Sequence, residues 1–104
     1  MNERVEARAF RGTRKKSTYR SHALGYRELV RIAAAGRESG LPLVAALTEL
    51  PHELGKDDAG RLAGELSELR RAASLLDLDA DLIALAELAR FCTRARGGAW
   101  LTVA

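Results

Sequence analysis

The chain opens with a strand-like alternation. In residues 4–10, Val5, Ala7 and Ala9 alternate with Arg4, Glu6, Arg8 and Phe10, a period of two that predicts a strand. Residues 11–22 lose that periodicity and read as an exposed basic loop or arm. From residue 23 the pattern becomes helical. Tyr26, Leu29, Val30 and Ala33 share a face and predict a helix over 23–38, stopped at Gly36 or Gly40 in a left-handed cap. Leu41-Pro42 opens a short helix with Leu43, Leu47 and Leu50 as its stripe, because Pro fits a first turn whose N–H needs no partner. Pro51 closes it, and His52-Glu53-Leu54-Gly55 reads as a link.

The clearest helix follows. Asp57 and Asp58 suit the positive end of its dipole, and Leu62, Leu66, Leu69, Ala73 and Leu76 recur at spacings of 4, 3, 4 and 3. Glu65, Glu68, Arg70 and Arg71 fall outside that seam. Two heptads are too few for a coiled coil, so the seam predicts an antiparallel partner within the chain. Asp77 or Asp79 is the expected N-cap of a last helix over 80–96, burying Leu82, Leu85, Leu88, Phe91 and Cys92. Arg90, Arg94 and Arg96 lie toward its carbonyl end, Gly97-Gly98 stop it, and residues 99–103 read as a short strand rich in β-formers.

Composition favours helix packing. Of 104 residues, 19 are Ala and 17 are Leu, whereas five are aromatic. The fold expected from these patterns is mainly α, a compact bundle of three to four helices. Its α+β variant pairs residues 4–10 with 99–103 in a small two-stranded ribbon formed by the chain ends. Residues 1–22 make a basic N-terminal strand and arm, and residues 23–104 a helical domain ending in a short strand.

Charge divides the chain at the same place. The net charge is +3, yet residues 1–27 hold eight bases (Arg4, Arg8, Arg11, Arg14, Lys15, Lys16, Arg20, Arg27) against Glu3 and Glu6, a balance of +6. The remainder, with nine bases and twelve acids, balances at −3. A cationic leader on a mildly acidic body suits an anionic partner. Arg11, Arg14, Lys15, Lys16, Tyr19 and Arg20 are the candidate partner-binding residues. A protein with an acidic face is the first expectation, engaged in the manner of an inhibitor, immunity factor or adaptor, because the acidic body repels a long polyanion. Nucleic acid is the alternative, with bases on phosphates and Tyr19 stacked on an unpaired base. No apolar run is long enough for a membrane span, and no secretory core precedes Leu29. With a single thiol, a cytoplasmic location is expected.

Catalytic and metal-binding signals are weak throughout. In Gly12-Thr13-Arg14-Lys15-Lys16-Ser17-Thr18, Lys15 occupies the place of the second Gly that a phosphate-binding loop needs directly before its Lys, and no helix pattern starts at Ser17. His52-Glu53 begins a metalloprotease-like motif, but Lys56 replaces the second His. Asp77, Asp79 and Asp81 alternate like a calcium loop without its Gly and distant Glu, so capping explains them better. Cys92 on an apolar stripe reads as a buried, inert thiol. Trp100 is expected as a core anchor for the final strand, with an interface hot spot as the alternative. The chain is therefore expected to be non-catalytic, with no cofactor and no metal.

Overall fold

The computed structural model describes residues 3–11, 18–72, 75–95 and 99–104. Strands β1 (Arg4–Arg11) and β2 (Thr18–Gly25) lead into helix α1 (Tyr26–Glu38). Helix α2 (Pro42–Ala45) continues as a 3-10 turn over Ala46–Thr48 and is followed by strand β3 (His52–Leu54). Helix α3 (Lys56–Ala72), a 3-10 turn at Leu76–Leu78, helix α4 (Asp79–Arg94) and strand β4 (Ala99–Val103) complete the chain.

The four strands form one antiparallel sheet in the order β2-β1-β4-β3, so the expected helical bundle is corrected to α+β with a full sheet. The chain ends do pair, Ala7 with Val103 through Arg11 with Ala99, but as the two inner strands and not as an isolated ribbon. Two strands lack a sequence pattern, β2 because of its polarity and β3 because it is short. On β2 the residues facing the helices include Arg20 and His22, whose partners are Glu87 at 3.4 Å and Asp81 at 2.7 Å on α4. Leu24 packs in the core and the acids of α4 meet the polar residues beside it, so a stretch without an apolar pattern still forms an edge strand. The link 52–55 supplies β3, which is only three residues long and fully buries only Leu54.

Helices cover one face of the sheet. Val5, Ala7, Ala9, Leu24, Leu54, Ala99, Leu101 and Val103 pack with residues of α1, α3 and α4 in a single core. Leu62, Leu66 and Leu69 of α3 and Leu82, Leu85 and Leu88 of α4 are 0–1% exposed, each contributing ~1.5–3 kcal/mol by leaving water. The seam ends at Leu69 among the described residues, because α3 stops at Ala72 and Leu76 is 86% exposed in the following turn. Ala73 lies outside the described residues.

Helix boundaries depart from the patterns for local reasons. Residues 23–25 belong to β2, so α1 begins at Tyr26 and buries Leu29, Ile32, Ala33 and Gly36, leaving Tyr26 and Val30 outside. Gly36 lies within the helix. Gly40, at φ +71°, follows the C-cap, where Leu41 N–H donates to Gly36 C=O and Gly40 N–H to Arg37 C=O in a Schellman closure. On the short segment Leu41, Val44 and Leu47 are buried, while Leu50 is exposed. Glu65 reaches from α3 to accept the N–H groups of Leu43 and Val44 at 2.9 and 3.0 Å, capping α2. Leu78 occupies the N-cap position of α4 without a side-chain cap; Asp77 and Asp79 instead hold Arg31 and Arg70.

Candidate interaction surface

Strand alternation settles which side chains stand on the face opposite the helices. Because Ala9 and Leu101 point into the core, their neighbours Phe10 and Trp100 point out, directly opposite each other on the inner strands. Phe10 is only 7% exposed yet is not part of the core cluster. The Trp100 ring extends over Gly55, where a Cβ would stand 3.6 Å from its Cζ3, and remains half-buried. The expected core anchor is thus an outward-facing aromatic. The outer face also carries Glu6 and Arg8 on β1, Thr102 on β4 and the exposed Glu53 on β3.

Arg8 Nε donates to Glu6 Oε1 at 2.6 Å on this face. That hydrogen bond lowers the Glu6 pKa and raises that of Arg8, keeping both groups charged. Exposed as they are, the two orient each other more than they stabilise the fold. The face thus joins a half-buried Trp100 and a covered Phe10 to an orientated guanidinium and carboxylate.

Of the cations expected to contact a partner, Arg20 stands on the helix-covered side of the sheet, opposite the aromatic pair. Arg11 ends β1 opposite Ala99, Tyr19 falls within β2, and Arg14, Lys15 and Lys16 lie outside the described residues. Arg20 is exposed and shares Glu87 with the surface of α4. Arg94 is the last residue of α4, whereas Arg90 donates to Ser67 on α3. Arg96 lies outside the described residues. The sequence contained the signal for the outer face: Phe10 falls in register with Arg4, Glu6 and Arg8, not with Val5, Ala7 and Ala9.

Other reactive groups are kept apart. His22 lies on one edge strand and His52 on the other, with β1 and β4 between them. Cys92 is fully buried, and desolvation pushes its thiol up to about 11. Among the described residues no group of three or more His, Cys, Asp or Glu could hold a metal ion. A polar groove of about 810 Å³ opens where β2 meets α1, lined by Arg4, Arg27 and the carboxylates Glu3, Glu28, Asp77 and Asp81. No helix among the described residues is long and apolar enough to cross a membrane. No family model, curated protein or solved structure matches the chain.

Proposed function

We propose that this chain is a small non-catalytic module that binds another protein on the open face of its sheet, in the manner of an inhibitor, immunity factor or adaptor. The observation that carries this reading is the outward, half-buried Trp100 beside Arg8, with the covered Phe10 packed opposite it as support. Trp, Phe and Arg at the centre of an interface supply most of its affinity once water is excluded around them. The basic residues Arg11, Arg14, Lys15, Lys16 and Arg20, with Tyr19, belong to one N-terminal segment of the sequence and would speed encounter with an acidic partner. A location in the cytoplasm fits the single thiol.

Nucleic acid fits the same face less well. Phe10 is too deeply covered to serve as a stacking platform, Arg8 is engaged by Glu6, and Glu53 and Glu6 oppose a phosphate chain.

The test compares affinity capture by the wild type, Trp100→Ala and the triple variant Arg14→Ala, Lys15→Ala, Lys16→Ala, after thermal melts show that each is folded. The expected result is a protein retained by the wild type and lost by Trp100→Ala, with association slowed in the triple variant. A partner held equally by all three overturns the reading. So does wild-type binding to a labelled single-stranded oligonucleotide with steep salt dependence and no protein partner.

A further inference from the structure

The two edges of the sheet are unequally protected. β3 exposes three residues directly after Pro51, too short an edge to template another strand. β2 exposes eight residues, and its irregularity, at Ala9/Phe10 opposite Thr18–Arg20, lies at its beginning.

The hydrogen-bonding phase along β2 follows from its neighbours. Glu6 N–H donates to Ala104 C=O at 2.8 Å, and Ala104 N–H donates back to Glu6 C=O at 3.1 Å. Glu6, Arg8 and Phe10 therefore turn their backbone groups toward β4. Val5, Ala7 and Ala9 turn theirs toward β2, where Leu24, His22 and Arg20 stand opposite. Ser21 and Ala23 must then direct N–H and C=O away from the sheet. Both have small, exposed side chains. Among the described residues no hydrogen bond reaches those outward groups.

Charge differs between the two ends of this strand. Arg14, Lys15, Lys16 and Arg20 precede its centre in sequence. Its other end, Ala23–Gly25, borders the groove whose carboxylates, Glu3, Glu28, Asp77 and Asp81, outnumber the guanidinium groups of Arg4 and Arg27.

We propose that β2 pairs antiparallel with β2 of a second copy, about a two-fold axis at His22, fusing the two sheets into one. Ser21 then exchanges backbone hydrogen bonds with Ala23 of the partner subunit, and Ala23 with Ser21 of the partner subunit. Because the pairing is antiparallel, the start of each β2, which Arg14, Lys15 and Lys16 precede in sequence, meets the end of the other copy's β2 that borders its carboxylate groove. One strand supplies both halves of the contact, so the surface is self-complementary, as a two-fold interface requires. An unrelated strand would complete the ladder without the end-to-end charge match. The contact uses the sheet edge and leaves the open face free, so it stands independently of what that face binds.

Sedimentation equilibrium on the full chain, from micromolar to several hundred micromolar, tests this together with amide exchange read by NMR. The expected species is twice the 11.3 kDa chain at high concentration, dissociating on dilution and more readily with added salt. Ser21 and Ala23 amides gain protection as the dimer forms, while His22 and Leu24, bonded to β1, are protected in both states. Ala23→Pro removes an N–H that β1 does not use, and is expected to give a monomer with unchanged far-UV circular dichroism. A chain that stays at 11.3 kDa throughout overturns the proposal. So does a dimer whose Ser21 and Ala23 amides exchange as fast as in the monomer. The exchange readout decides the matter even if Ala23→Pro fails to fold.

Discussion

Two glycines in helices allow one chemical change to be read with opposite signs. Gly36 lies in α1 and is buried; Gly64 lies in α3 and is exposed. Replacing Gly by Ala in an unobstructed helix interior stabilises by ~1 kcal/mol, since the backbone loses less freedom on folding. At Gly64 nothing lies within 4 Å of the added methyl, so Gly64→Ala should gain about 0.5–1 kcal/mol. At Gly36 the methyl would stand 2.5 Å from Val44 Cγ1, 2.7 Å from Val44 Cβ and 3.2 Å from Ala45 N. Carbon contacts settle near ~3.5–4.0 Å, and Val44 is fully buried, with its Cβ fixed to the backbone of α2. Helix α2 would have to move. Overpacking of this kind costs ~1–3 kcal/mol, which exceeds the helical gain and leaves Gly36→Ala about 1–2 kcal/mol less stable than wild type. Urea and thermal unfolding followed at 222 nm would measure both, with ~4–8 °C in Tm per kcal/mol for a domain of this size. Equal shifts of the same sign for the two variants would refute the close α1–α2 approach on which the reasoning rests.

Three further outcomes can be checked on the same preparation. Glu65→Ala strips the cap from α2 and should cost ~1–3 kcal/mol in urea unfolding, whereas an ordinary surface Glu would change stability by no more than ~0.5 kcal/mol. Hydrogen bonds from Arg31 and Arg70 hold Asp77 and Asp79 below their ordinary value of 3.8. Their contribution is complete above that value and is lost as pH falls through the lowered folded pKa, so Tm should drop on acidification. The drop should be shallower in Asp77→Asn combined with Asp79→Asn, and an unchanged acid limb would show that these pairs contribute nothing. Cys92, raised to about 11 by burial, should resist a thiol reagent at pH 8 until denaturant is added; rapid labelling of the native chain would contradict its burial.

Helices with an apolar stripe were legible in the sequence, and strands with polar inner positions were not. Leu62, Leu66 and Leu69 announced α3, and Leu82, Leu85 and Leu88 announced α4, because 3.6-residue periodicity survives any choice of partner. β2 escaped notice because Arg20 and His22 occupy inward positions whose acidic partners, Glu87 and Asp81, lie 67 and 59 residues away. No local pattern encodes such a pairing. β3 was invisible for a different reason: three residues contain too little alternation to separate a strand from a link. On the open face, Phe10 stood in register with charged residues, but its pairing with Trp100 depends on contact between distant ends of the chain.

The placement of β4 governs the order in which the architecture can be completed. Residues 99–103 slot between β1 and β3, so a shortened chain ending before Ala99 would keep its helices while its first and third strands stood apart with nothing to bridge them. During synthesis the helix surfaces that pack on β4 stay uncovered until residues 99–103 emerge, and over that interval the polypeptide is most prone to sticking.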